Sequence, residues 1–383
     1  MKRVALQEIS INITDGKHGD CEAADNSGYY FVSCKDIKDG EIDYLNSRQI
    51  TEKDFQEANK RTQLEPNDIL ITNSGTIGRM ALVKDIPETY RTTFQKSVAI
   101  IKPNSSIVNP RYLYYKLQNC VNDFINSANG SAQKNLLLRT MRNFSIDLHE
   151  DLLEQDKLAS ILTTYDDLIE NNQKQIKLLE EAAQRLYKEW FVDLRFPGYE
   201  TTPIVDGVPE GWEKRTVGDL IGKSHRTAQI MTKDYLDEGA IPVIDQSREF
   251  IAGYTNNIDS LVDIGKPVIV FGDHTRILKY ITFPFAKGAD GTQLIVSDND
   301  RMPQPLLYCS LVNVDLSNYH YARHFKYLKA EEILVPEKAI AEKFTQFTDP
   351  IYIQIQVLRD KITKSAKIRD SLLPKLMNGE NEV

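Results

Sequence analysis

The chain has 383 residues, 41% of them apolar and 27% charged, and a net charge of −8; this is the composition of a globular protein long enough for two domains. No apolar run approaches the roughly 18 residues of a membrane span, and the opening MKRVALQEIS lacks the apolar core of a signal peptide, so a cytoplasmic protein without a membrane partner is expected. The acidity sits in residues 151–200 (6 basic against 11 acidic) and 201–336 (14 against 18), while residues 1–150 balance 19 against 19, which excludes a broadly positive DNA-binding surface and leaves only local basic loops or a basic partner. Cys21, Cys34, Cys120 and Cys309 have no CxxC spacing and fit reduced thiols better than disulfides or zinc.

In chain order, residues 1–150 alternate short β-rich runs with turns. Asp68–Thr72 (DILIT) and Lys96–Lys102 (KSVAIIK) read as buried strands, and Arg111–Ile125 as a helix. Residues 151–192 then hold a long helix, whose stretch from Asp156 to Phe191 carries no Pro or Gly. On alternating steps of four and three, Leu158, Leu162, Tyr165, Ile169, Asn172, Ile176, Leu179, Ala183, Leu186 and Trp190 fall on one seam, between mostly charged and amide residues. A helix of this length, about 50 Å, cannot bury its own seam. Residues 193–214 are rich in Pro and Gly and read as a linker.

Residues 215–336 repeat the first order. Lys266–Phe271 stands for DILIT, Gln293–Ser297 for SVAII, and Gln304–Val314 for the tyrosine-rich helix. Residues 337–383 hold the second long helix. Adding 186 to each seam position gives Phe344, Thr348, Ile351, Ile355, Leu358, Ile362, Ser365, Arg369, Leu372 and Leu376, mostly apolar and gapless. Asp349 before Pro350 reads as an N-cap with Pro at the first helical position, so the long part of this helix is expected to begin there. A core Asn such as Asn172 lowers stability while fixing register. Two unrelated amphipathic helices on separate domains are the competing reading.

The duplicated plan, the helix ending LLEEAAQRLYKEWF followed by FPG, the junction VPEGWEKRTVGDL and the ending RDSLLPKLMNGE resemble the specificity (S) subunit of type I restriction–modification enzymes. The loops DGKHG, SGTIGR and GDHTR add to the resemblance, which covers essentially the whole chain. It implies an α+β fold with two similar α/β target-recognition domains, joined by two long antiparallel coiled-coil helices as a pseudo-two-fold internal repeat. Each domain would read one half of a split double-stranded DNA sequence, and the helices would space the halves and dock two methyltransferase subunits. The docking and coiled-coil positions are Leu158, Leu162, Ile169, Asn172, Ile176, Leu179, Leu186, Trp190, Ile351, Ile355, Leu358, Ile362, Leu372 and Leu376. Restriction/translocase subunits would join for cleavage. S-adenosylmethionine, ATP and Mg would belong to those partners and none to this chain.

Residue chemistry supplies the DNA-binding candidates. Thr14–Asp20 puts Lys17 and His18 in a tight loop, where they can reach phosphates or base edges. Asn73–Arg79 follows a strand and offers Ser74, Thr76 and Arg79. Gly130–Arg142 offers Gln133, Lys134, Asn135 and Arg139, since amides suit adenine and cations suit guanine or phosphate. In the second copy, GDHTR gives His274, Thr275 and Arg276, with Lys279 and Lys287 downstream. Tyr319–Lys326 adds Tyr321, Arg323 and His324. Solvated turns are the competing reading at each loop. His320 and His324 stand at i,i+4 without a third ligand or HExxH, which disfavours zinc.

Enzyme signatures fail. Gly218–Ser224 (GDLIGKS) has three residues between its glycines where a phosphate-binding loop has four, and no strand is expected before it. GxGxxG is absent, and NPRY at Asn109 lacks the second Pro of an amino-methylating loop. The chain is therefore expected to read sequence without catalysing a reaction. The alternatives are a divergent stand-alone DNA methyltransferase or nuclease, and a coiled-coil interaction protein without DNA binding.

Overall fold

The structure, a computed structural model, describes residues 1–38, 40–128, 134–222, 227–319 and 323–379. It forms two units, residues 1–170 with 363–383, and residues 171–362.

In the first unit, β1 (Lys2–Ala5) and β2 (Ser10–Asp15) lead to β3 (Tyr30–Val32) and α1 (Glu52–Thr62). Next come β4 (Ile69–Thr72), β5 (Met80–Leu82), β6 (Thr92–Phe94) and β7 (Val98–Pro103). DILIT and KSVAIIK become β4 and β7, neighbours in an antiparallel sheet of order β2–β7–β4–β5. The strands are apolar throughout because both faces are covered. Ile69, Ile71, Ala99 and Ile101 join one core, while Leu70, Val98 and Ile100 join another on the opposite face.

The helix expected over Arg111–Ile125 is divided at Cys120 into α2 (Pro110–Asn119) and α3 (Val121–Ser127). Asn109 caps α2 by accepting from the Arg111 and Tyr112 N–H groups, with Pro110 in the first turn. Tyr112, Tyr114 and Tyr115 are buried beneath it. Then α4 (Leu138–Asn143) and β8 (Ser145–Leu148), which pairs antiparallel with β1, lead into α5 (Leu152–Tyr187).

The second unit repeats this frame. It opens with β9 (Glu213–Thr216) and α6 (Val217–Leu220), followed by β10 (Ile241–Ile244), β11 (Gly253–Thr255) and β12 (Leu261–Val262). Then come β13 (Val268–Gly272), β14 (Leu278–Ile281), β15 (Phe285–Lys287) and β16 (Thr292–Ile295). The antiparallel order β14–β13–β16 matches β5–β4–β7. Ile269 and Phe271 enter one core, Val268 and Val270 the opposite one, as in β4. Parallel pairing of β10 with β15 matches that of β3 with β6. After α7 (Gln304–Val312), α8 (His324–Ala330) and β17 (Glu332–Val335), which pairs with β9 as β8 pairs with β1, α9 runs over Lys338–Asn378.

All twenty seam positions are buried or half-buried. In the first unit Leu158 and Leu162 of α5 share a core with Leu372 and Leu376 of α9. The polar seam residue Arg369 is accounted for by an ion pair to Asp166 at 2.7 Å. In the second unit Ile176, Leu179, Ala183, Leu186 and Trp190 pack with Phe344, Ile351 and Ile355, and Arg359 reaches Glu180 at 3.1 Å. Low-numbered residues of α5 thus meet high-numbered residues of α9, so the pairing is antiparallel. Asn172 is 3% exposed, as a seam position requires.

Three expectations are corrected. The last helix begins at Lys338 and passes straight through Pro350. Pro350 and Gln346, four residues earlier, are both exposed, so the carbonyl that loses its helical donor lies on the wet face. Residues 193–214 are more than a linker: the Phe196 and Trp212 rings pack, tilted, 4.6 Å apart within the second unit's core. A strand, β9, does precede GDLIGKS, but Gly218 lies inside α6 and not in a phosphate loop. Lys223 and Ser224 lie outside the described residues. Among the described residues no helix is long and apolar enough to cross a membrane, and no three His, Cys, Asp or Glu side chains gather as a metal site would need.

Candidate nucleic-acid interface

Strand register gathers the first copy's candidates. Asp15 at the end of β2 faces Ala99 near the start of β7, Val98 faces Thr72 at the end of β4, and Ile71 faces Met80 at the start of β5. The loops after β2 and β4 therefore leave from the same end of the sheet. Thr72 organises the second of them: its hydroxyl donates to the Thr76 carbonyl and accepts the Arg79 N–H at 2.9 Å. Gly75 and Gly78 hold φ of 78° and 91°, a turn that side chains resist. The segment before α4 is brought in by backbone pairing of Ser74 with Asn135 and by the Leu136 N–H bonding the Asn73 carbonyl at 2.8 Å.

At this end Thr76, Arg79, Lys134, Asn135 and Arg139 are exposed and Ser74 is half-buried. The Arg79 and Arg139 side chains have no hydrogen-bond or ion-pair partner among the described residues. Lys17 is only 18% exposed in its side chain and lies 3.6 Å from Glu57; His18 is exposed and lies 3.1 Å from Asp15. Asp15 also accepts Arg61 at 2.5 Å, and Asp20 accepts Arg48, which holds the Asp20 carboxyl below its usual range. These carboxylates are thus matched by cations, leaving the arginines of the later loops for an anionic ligand. Gln133 lies outside the described residues. Lys96, exposed beside Lys17, and Lys35, next to the Cys34 beneath Gly75, were not singled out from sequence. Lys96 opens an apolar strand run and Lys35 has no Gly or amide beside it, so neither reads as part of a donor loop and only the fold reveals their positions.

The second copy is wired differently on the same end of its sheet. Gly272 ends β13 facing Thr292 of β16, and Phe271 faces Leu278 of β14. Asp273 is 3% exposed. Its carboxylate accepts the Phe325 N–H at 2.8 Å, and its carbonyl accepts the His324 N–H at 3.0 Å, tying GDHTR to α8. His274, Thr275 and Arg276 are exposed; Arg276 adopts φ 61° and one of its N–H groups donates to the Leu316 carbonyl at 2.9 Å. Arg323 is exposed at the start of α8, while Tyr321 and His320 lie outside the described residues.

Two proposed donors are not available here. His324 is buried, its ring nitrogens lying 2.8 Å from the Asp273 carbonyl and 3.0 Å from the Tyr319 carbonyl. Lys279 is 5% exposed, its ammonium donating to the Glu249 carbonyl; burial pushes that ammonium down to about 8, with Asp245 and Glu249 countering. In both cases the strand or helix period turns the side chain into the core, which motif reading does not see. Lys287 is half-buried, and burial lowers its ammonium too. Gln246, just after β10, joins this end and had no signal in the sequence.

The family described as Type I restriction modification DNA specificity domain matches residues 19–181. The type I restriction enzyme MjaIX specificity subunit of Methanocaldococcus jannaschii is 27% identical, over 92% of this chain and 87% of its own. The EcoBI specificity subunit of Escherichia coli is 31% identical over 37% of this chain and 30% of its own. The crystal structure of a type I restriction–modification S subunit from M. genitalium superposes with TM-score 0.60 at 14% identity, covering 98% of this chain and 95% of that one. Residues 19–181 match the type I restriction modification DNA specificity domain, and the chain as a whole resembles type I specificity subunits in sequence and in fold.

Proposed function

We propose that the chain is the sequence-reading subunit of a type I restriction–modification enzyme, each unit reading one half of a bipartite double-stranded DNA target. The observation that carries this reading is the repeated placement of donor-rich loops at one end of an equivalent sheet in both units. Within it, Arg79, Arg139, Lys134 and Asn135 contact the first half; Arg276, Arg323, His274 and Thr275 contact the second. Arg79 and Arg139, without partners among the described residues, suit guanine edges or phosphates, and Asn suits adenine.

Two methyltransferase subunits dock on the helices, with restriction/translocase subunits added for cleavage; S-adenosylmethionine, ATP and Mg are held by those partners. The seam itself is filled by the chain's own second helix, so docking falls on outer apolar residues such as Leu153, Leu168, Leu178, Phe347 and Ile353. The helices act as a ruler. Seven residues inserted in α5 between 170 and 171 and in α9 between 362 and 363 add about 10 Å, roughly three base pairs of spacing.

Single-molecule methylation sequencing of DNA from cells holding the chain and its methyltransferase tests this. A split motif with a fixed gap supports the reading, and the double insertion should lengthen only the gap. A short continuous motif refutes it. A coiled-coil protein without DNA binding would give no retention in a DNA pull-down.

A further inference from the structure

Gln246 engages both ends of its amide and its backbone carbonyl in holding neighbouring loops together. Its Nε2 donates to the Asp290 carbonyl at 2.8 Å, and its Oε1 accepts the His274 N–H at 3.1 Å. The Gln246 carbonyl accepts the Thr275 hydroxyl at 2.7 Å. The two loops it joins, after β13 and after β15, also meet directly where the Asp273 N–H bonds the Gly291 carbonyl at 2.7 Å. Glycines make room for it. A Cβ on Gly291 would lie 2.7 Å from Gln246 Nε2, and one on Gly272 would lie 2.9 Å from Gln246 Cβ.

The internal repeat identifies the matching place in the first unit. Ile244 and Val32 end the equivalent strands β10 and β3, and their carbonyls accept the N–H groups of Gly288 and Gln95 at 2.8 and 2.9 Å. Two residues on from each stand Gln246 and Cys34. Cys34 likewise lies under the loop after the central strand, where a Cβ on Gly75 would come within 3.1 Å of its Sγ. One place in the frame thus holds an amide that both donates and accepts in one copy and a weakly bonding thiol in the other.

We propose that Gln246 is a specificity-determining positioning residue: it fixes the His274–Arg276 loop so that the second half-site is read with one geometry. This rests on the DNA-reading function above. Gln246 acts through the loop, since its polar groups already have protein partners. Loosening the loop lets its exposed donors satisfy more than one base, so discrimination falls while phosphate-driven affinity remains.

The test uses the chain assembled with its methyltransferase partner, and duplexes carrying the motif that wild-type methylation defines, each with one base pair substituted. For Gln246→Met, which keeps length without hydrogen bonds, the preference for the cognate second half should fall about tenfold at one or more positions, worth about 1.4 kcal/mol. First-half preferences should stay unchanged. Gln246→Glu, which keeps the acceptor for the His274 N–H but not the donor to Asp290, should fall between wild type and Met. Unchanged second-half preferences, or an equal fall in both halves, overturns the proposal. A wild-type complex with no bipartite preference instead overturns the reading on which it rests.

Discussion

The loops after β4 and β13 occupy the same place in two copies of one frame and are wired by different means. In the first unit, Asn73–Arg79 turns on Gly75 and Gly78 and is tied by the Thr72 hydroxyl. In the second, a shorter loop hangs on buried Asp273, on Gln246 and on Arg276 in the left-handed region. Strand pairing, the β1–β8 and β9–β17 closures and the long helices are shared; the bonding beneath the loops is not. Recognition can therefore diverge between halves while the frame that aims it stays fixed.

The comparison predicts where changes act. The largest effect should come from the frame. Phe344, fully buried among Tyr187, Trp190 and Phe191, matches Leu158 of the first unit by the 186-residue offset. Phe344→Ala should cost about 3–5 kcal/mol, with lost hydrogen-exchange protection concentrated in residues 171–362. Equal loss in residues 1–170 would mean that the copies are not separately stabilised.

Next is Lys279, a buried lysine on β14. Its folded form releases the proton near 8 while an unfolded lysine holds it to 10.5, so the unfolded chain binds more protons in between and stability rises with pH across that window. Lys279→Met should raise the stability at pH 7 by up to about 3 kcal/mol, read as a higher denaturation midpoint, an advantage that shrinks as pH climbs above 8. A destabilised variant at pH 7 would show that the Glu249 and Asp245 contacts outweigh burial.

Arg79→Ala and Arg276→Ala should each cost about 1–3 kcal/mol of discrimination, the first only in the first half-site and the second only in the second. Joint changes in a methylation pattern would contradict independent readers. Smallest is Arg359, which bridges to Glu180 and lies 3.7 Å over the Phe250 ring. Arg359→Ala should cost about 1 kcal/mol in a denaturant titration.

Periodicity carried most of the frame. The heptad seam placed buried residues on both helices, and apolar runs of four to six residues placed the central strands of both sheets. Pro350 misled because a proline's penalty depends on whether the freed carbonyl meets water, which one sequence does not state. At the interface, Arg79 and Arg276 were legible as cations after a strand. Lys279 and His324 were not, because residue type alone does not reveal which way a strand or helix faces. Gln246 was invisible for another reason: its importance lies in bonds to residues 28 and 44 positions away.

The Lys116 ammonium, buried in the first unit, donates to the Met377 carbonyl, and Asn119 meets Asn378 at 2.9 Å. The unit that starts at Met1 is thus closed by residues translated after the whole of residues 171–362. On the ribosome the order of completion runs against the order of synthesis. The middle of the chain can fold first, and the core of the amino-terminal unit is completed only when Leu372, Leu376 and Met377 emerge.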